Sequence, residues 1–462
     1  MHAINASLEA MTREGTLTRL LGAYLYAALL VAGPWIFTVL GLMGLGLQGC
    51  EGLCTDFIVF RSVVIYNAMF AFIVSVPMAF FCGRYASEQI HSGNERKVTF
   101  VLLVSLCIFQ IVSLFVAVPF IFLGTALDGL AKIASIQNLA MIGCSWLLIP
   151  FLGAMRANNA VLIGYGVGAL CMFGSGAIMN NSTASALLLV FNASLALTNL
   201  FLFGTVILRF GNTLVVDWGL KDGISAKWEL PVAGFAFAFG LWIDKLIMWY
   251  FAPSGAITVA RGFQTMPSYD TAVFWSQIAS IPILAIFFVH VETNFASMLR
   301  RCHERTQNQA SLRELKEVCH AIQTYVLASV IRSFTGVAGV ALVVMLFSMV
   351  FMDQLGLRPP YMSILRVSLC AMAFYTSAIF CVNILLYLDM RRPALVILIT
   401  YALLNGAFTL FVLPFGSDFY GYGNMFSSAI TFLIALSLLL RELPWLIYHL
   451  FITNNPAISR KG

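Results

Sequence analysis

Residues 234–250 read GFAFAFGLWIDKLIMWY. Fifteen of these seventeen side chains suit hydrocarbon; the other two, Asp244 and Lys245, are an acid and a base side by side. With its apolar flanks the run extends over 229–252, long enough to cross a bilayer as one helix of ~20 residues. The rest of the chain has the same character. Hydrophobic residues make up 60% of the 462 and charged residues 10%, against about 25% charged in a soluble domain. Such a chain cannot cover its surface with polar groups, so its solvent is lipid. In lipid the backbone must satisfy its own hydrogen bonds, which leaves helices or a closed barrel. The apolar runs are too long for alternating barrel strands. The expected fold is therefore all-α and polytopic.

Twelve runs are legible, roughly 20–47, 57–81, 98–123, 131–155, 158–179, 183–208, 229–252, 271–291, 321–352, 361–388, 394–413 and 423–440. The fourth is the most polar, with Lys132, Gln137 and Asn138. The opening segment has no basic patch and no cleavage site, and is expected to lead into the first span from the cytosol. With the N-terminus inside, 19 of the 26 Lys and Arg fall on the cytosolic side. Lys132, Arg261 and Arg358 fall outside, and Arg61, Lys245, Arg332 and Arg366 fall within spans. That bias predicts both termini in the cytosol. The expected layout is a cytosolic segment 1–19, an N-lobe of six spans over 20–208, a linker 209–228, a C-lobe of six spans over 229–440, and a cytosolic tail 441–462. The C-lobe holds a charge-rich cytosolic loop, 292–320, where Arg300, Arg301 and Arg305 make a candidate docking surface for a cytosolic partner; a plain solvated helix is the other reading.

The net charge of +6 records topology and does not point to nucleic acid. Cys50 and Cys54, in the outer stretch CEGLC, are either a disulfide or two free thiols, and the other cysteines have no metal-ligand spacing. No Walker loop, HExxH or GxSxG occurs. The longest outer loop, about 253–270, carries only Asp270 and Arg261, and Glu51 with Asp56 makes at most a weak acidic pair, so catalytic chemistry and cofactors are not expected. Proline interrupts several spans, and Gly33-Pro34 in the first is a candidate hinge.

On a helical wheel Phe235, Phe239, Trp242 and Trp249 form one stripe, while Asp244 lies opposite among Ala233, Ala236 and Gly240. Small residues mark a face where helices approach closely, so the acid is expected to point into protein. Consecutive residues lie 100° apart, so Asp244 and Lys245 are not expected to meet face to face. A charge inside a membrane is a functional-site hypothesis by default; a fixed ion pair that only fastens the bundle is the alternative. Arg61, Arg366, Lys245 and Asp244 are expected at similar depth in the outer half of the membrane, with Arg332 nearer the cytosol. Together they are candidates for lining or gating a transport path; Arg61 and Arg366, taken singly, have snorkelling to the interface as the other reading.

GLWIDK at 240–245 resembles the Gly-x-Trp-x-Asp-Lys signature of the Pel exopolysaccharide exporters (PelG type), in the superfamily of multidrug, oligosaccharidyl-lipid and polysaccharide flippases. AYLYAALLVAGPWI (23–36), VETNFASMLRR (291–301), YMSILRVSL (361–369) and NILLYLDMRRPAL (383–395) resemble the same family. The resemblance implies two six-helix lobes with a central path, and export of a polysaccharide rich in N-acetylated hexosamines across the bacterial inner membrane for biofilm matrix. It also implies a cytosolic glycosyltransferase and membrane accessory subunits as partners, one sensing cyclic-di-GMP. Two other functions stay open: an ion-coupled flippase of lipid-linked oligosaccharide or drugs, with Asp244 as coupling acid, and a membrane glycosyltransferase or scaffold subunit.

Overall fold

A computed structural model describes residues 17–49, 55–176, 183–211, 215–260, 262–307, 311–350 and 359–448. Over its described residues each of the twelve apolar runs lies on a helix. In chain order these are α1 (Leu17–Gly49), α2 (Thr55–His91), α3 (Arg96–Gly124), α4 (Gly129–Ala154), α5 (Asn158–Gly176) and α6 (Ala184–Phe210), then a short α7 (Leu220–Ala226) before α8 (Glu229–Phe251). A two-stranded antiparallel hairpin follows, β1 (Ile257–Ala260) and β2 (Phe263–Thr265). Next come α9 (Pro267–His290), a π turn at Val291–Phe295, α10 (Ala296–Gln307), α11 (Leu312–Val350), α12 (Pro359–Tyr387), α13 (Arg391–Val412), α14 (Tyr422–Glu442) and the last turn α15 (Leu446–Tyr448). Among the described residues ten helices are long and apolar enough to cross a membrane, and α1 makes an eleventh as a bent pair. The remaining run is α5, 19 residues opening on Asn158 and Asn159 and broken by glycines. Cys50, Glu51 and Cys54 lie outside the described residues.

The bend in α1 has a direct cause. Pro34 has no N–H to offer the carbonyl of Leu30, four residues back. The helix is thus a bent pair, Leu21–Leu30 with Ala32–Leu45. The hydroxyl of Thr38 caps the Pro34 carbonyl at 2.7 Å.

By packing, Ala32–Pro267 forms one unit, and Met1–Val31 with Ser268–Gly462 the other. Packing units and the expected lobes are drawn by different criteria, and the lobe boundaries remain an expectation. In the first unit α2 is the hub, touching α3, α4, α6 and α8. Gly234 of α8 sits on the backbone of α2, where an added Cβ would lie 2.8 Å from the Val76 oxygen and 2.9 Å from the Pro77 Cα. The polarity of the fourth run is explained here. Asn67 of α2 donates to Asn138 of α4 at 3.0 Å, and Asn138 donates to Asn192 of α6 at 2.8 Å. Asn192 in turn donates to the Ala134 carbonyl at 2.8 Å. All three amides are buried. Such interhelical bonds contribute on average ~0.6 kcal/mol each in a bilayer, and they fix which helix faces meet.

In the second unit α12 packs against α11, α13 and α14. Phe334 of α11 stacks on Phe432 of α14 at 5.5 Å and approaches Phe374 of α12 at 5.3 Å. Gly423 lies on the Thr409 backbone, so α13 and α14 nearly touch.

Candidate functional site

Helix α8 carries the acid where the wheel put it. Ala233, Ala236, Gly240 and Asp244 form its buried face, with Asp244 only 1% exposed. Lys245 does reach its neighbour, contrary to the expectation from helical angle. Its Nζ lies 3.6 Å from Asp244 Oδ1 and donates to the Leu241 carbonyl at 2.9 Å. Backbone angle fixes where a side chain starts, and the four-carbon lysine stem is flexible enough to turn back from there. The ammonium also lies 5.5 Å from the Trp242 ring centre, a cation–π contact.

The aromatic stripe divides in two. Phe235 and Phe239 stack on each other at 5.7 Å, with Phe235 exposed. Trp249 is buried, 4.9 Å from the ring of Tyr66 and 6.2 Å from Trp242. The division arises because the chain after α8 folds back as the hairpin and covers that end. Tyr66 is the centre of the closure. Its ring meets Phe120 and Phe263, and its hydroxyl donates to the Gln264 carbonyl at 2.7 Å while accepting from the Gln264 N–H. Tyr250 donates to the Gly262 carbonyl at 2.8 Å. The hairpin had a readable signal: β-branched Ile257, Thr258 and Val259 ahead of a turn glycine.

Arg61 is not brought to the acid. Gly234 sits at Val76–Pro77 and Trp249 at Tyr66, so the helices run antiparallel with Asp244 near the level of Met69. Arg61 lies eight residues further along α2, ~12 Å away at ~1.5 Å per residue, and its side chain is exposed. Arg332 and Arg366 belong to the second unit, and both are exposed. Arg332 donates to the Ser329 hydroxyl at 3.0 Å and lies over the Tyr325 ring at 5.6 Å. On α10, Arg301 and Arg305 are exposed and Arg300 is half-buried, while Cys302 packs inward. Gly33 is buried beside Pro34 at the bend.

One feature gave no local signal. Asp217, in the expected linker, is buried and accepts from the Tyr85 hydroxyl at 2.6 Å, Lys97 Nζ at 3.1 Å and the Gly219 N–H at 3.2 Å. Lys227 pairs with Glu88 and lies over the Tyr85 ring. The segment is thus strapped onto the ends of α2 and α3, with Trp218 89% exposed beside it. Burial pushes the Asp217 carboxyl up, but the hydrogen bonds from Tyr85, Lys97 and Gly219 outweigh it and hold the group below its ordinary value of 3.8. A depressed carboxylate contributes fully above its ordinary value and is lost only as pH falls through the lowered one. The strap is therefore expected to be indifferent to pH from about 5 to 8. Asp217→Ala is expected to speed hydrogen exchange and proteolysis within 215–228 at neutral pH. Unchanged protection in that variant would remove Asp217 as the anchor.

Comparison with known proteins decides the family. Residues 1–451 match the PelG family model, described as exopolysaccharide exporters (EPS-E). The chain belongs to the PelG family. Comparison with curated proteins finds no match. Among solved structures, this exporter-family chain is similar to a MOP-superfamily transporter from Pyrococcus furiosus, with 13% identity, a TM-score of 0.54, and coverage of 96% of this chain and 98% of that one. It is also similar to a MATE transporter in the straight conformation, at 11% identity and TM-score 0.59 over 93% and 96%. A third is a multidrug-resistance MATE transporter in an outward-facing conformation, at 12% and 0.58 over 91% and 96%. The fold is that of MOP-superfamily transporters, and the PelG-family chain is a multi-pass membrane transporter and not an enzyme.

Proposed function

We propose that this chain exports a Pel-like polysaccharide, rich in N-acetylated hexosamines, across the bacterial inner membrane for biofilm matrix. The observation that carries the reading is the extent of the family match, 1–451. The proposed orientation places both termini in the cytosol, supported by the Lys and Arg bias. In that orientation α10 offers Arg300, Arg301 and Arg305 to a cytosolic glycosyltransferase. The same reading includes membrane accessory subunits, one of them sensing cyclic-di-GMP. A buried acid favours, as a second reading, an ion-coupled flippase with Asp244 as the coupling group. Its pairing with Lys245 at 3.6 Å weighs against that role, because a coupling acid must exchange its charge freely.

The test compares cells that keep the synthase but lack this chain with cells that regain it. Polysaccharide is expected to stay inside the first and leave the second. Pro34→Ala restores the missing backbone donor and straightens α1, and is expected to cut export about tenfold while protein abundance stays normal. Normal export by Pro34→Ala at normal abundance would reduce the bend to a tolerated kink. Equal secretion with and without the chain would end the export reading.

A further inference from the structure

Two cysteines meet where α10 packs on α11. The thiols of Cys302 on α10 and Cys319 on α11 hydrogen-bond each other. Both side chains are buried, at 1% and 3% exposed. Cys319 belongs to the inward stripe Leu315, Cys319, Ile322 and Val326 of α11, at helical spacing. A reciprocal cap fixes the start of that helix. The Ser311 N–H donates to the Glu314 carboxylate at 3.2 Å, and the Ser311 hydroxyl accepts from the Glu314 N–H at 3.4 Å.

A buried cysteine commonly serves as a small hydrophobe, but that use does not require two thiols to touch. Nor is this a lipid setting. Arg300, Arg301 and Arg305 flank Cys302, and Arg313, Lys316 and Glu317 precede Cys319. That many charges set the helix pair outside the hydrocarbon core. Arg305, one turn on from Cys302, acts on its thiol electrostatically, and a guanidinium so placed favours the reactive thiolate.

We propose that Cys302 and Cys319 are a reversible oxidation site, a dithiol that hydrogen peroxide closes to a disulfide and so locks α10 onto α11. The Cys302 sulfur takes one peroxide oxygen as a sulfenic acid, and the O–O bond breaks to release water with the thiol proton. The Cys319 sulfur then attacks the oxidised sulfur. The S–S bond forms, and the sulfenic hydroxyl leaves with the Cys319 proton as a second water. A dithiol reductant reverses the bond by exchange, giving up two hydrogens and closing into a disulfide itself. Peroxide is small enough to enter when the helix pair opens locally. In the proposed orientation the pair lies in the cytosol, where reductants keep thiols open; only the reduced resting form rests on that orientation. Linking 302 to 319 lowers the population of the opened helix pair about a hundredfold. Because α10 continues α9 through the π turn, the bond also ties together the ends of two membrane-crossing helices, which slows any cycle that needs them to move.

The purified chain is treated with hydrogen peroxide, cleaved with trypsin, and read for peptide 302–305 joined to peptide 317–332. The joined peptide is expected to form, to vanish with dithiothreitol, and to be absent from unstressed cells. Amide hydrogen exchange in 296–307 and 311–320 is expected to slow about a hundredfold on oxidation. Peroxide-treated cells are expected to lose export until dithiothreitol restores it, while cells carrying Cys302→Ala or Cys319→Ala keep it. The joined peptide is measured on the unaltered chain, so it decides the site even where a variant fails to fold. If peroxide yields no joined peptide, the pair is packing only and the site is overturned. If the peptide is already complete in unstressed cells, the bond is permanent and the switch is overturned. If it forms but exchange and export do not respond, the lock is overturned. If the unaltered chain exports nothing even without peroxide, the export reading fails, while the joined peptide and the exchange still decide the site.

Discussion

Asp244→Asn is expected to lose most export and to destabilise the chain by about 3–5 kcal/mol, the range for breaking a buried ion pair at one end. The carboxylate is 1% exposed, and its ion partner Lys245 has a side chain only 13% exposed. Asparagine keeps the shape but leaves an ammonium in hydrocarbon with the Leu241 carbonyl and the Trp242 face for company. Lys245→Met is expected to cost less, because it lowers the excess of buried positive charge where Asp244→Asn raises it. The double variant, Asp244→Asn with Lys245→Met, separates fastening from function. Removing both charges is expected to recover much of the lost stability, since paired residues are not additive, but not the export. Detergent-solubilised thermal unfolding and secreted polysaccharide, measured on the same variants, check both. A double variant that is stable and exports normally would make the pair a structural pin.

Gly262→Ala is expected to be the most damaging change outside the helices. Gly262 has φ of 97°, a conformation that strains any residue with a side chain. Its added Cβ would lie 1.8 Å from the Gly124 carbonyl oxygen at the end of α3. Strain and overpacking each cost about 1–3 kcal/mol, and the atom in the way is backbone. The hairpin must lift, which pulls Gln264 from the Tyr66 hydroxyl and Gly262 from Tyr250. A fall of several degrees in the unfolding temperature is expected, with new protease cleavage near 257–265. Tyr66→Phe keeps the ring stack and loses only hydroxyl bonds, so it is expected to fall less. An unaltered unfolding temperature for Gly262→Ala would mean the hairpin is not seated on α3.

What was legible in the sequence is what depends on one segment at a time. The twelve runs, the break at Pro34 and the inward face of Asp244 each follow from local composition or helical period. The Asn67–Asn138–Asn192 chain was half legible: Asn138 made its span look weak, but its partners come from two other helices. Asp217 was not legible at all, because Tyr85 and Lys97 are more than a hundred residues away. The grouping of Arg61 with Asp244 failed for a related reason. Depth counted from span ends carries an error of several residues, and the packing of α8 on α2 sets them ~12 Å apart. Adjacency misled in the other direction for Lys245, whose flexible stem overrode the angle of its backbone.

The central claim is that this chain moves polysaccharide across a membrane. Inside-out vesicles from cells with and without it, supplied with the synthase and a labelled sugar nucleotide, test it directly. Polymer made at the outer surface of the vesicles is then digested with a polymer-degrading enzyme. The account predicts that a labelled fraction survives digestion inside vesicles containing the chain, and that Asp244→Asn lowers it sharply. Equal digestion of all polymer, whether or not the chain is present, would contradict it.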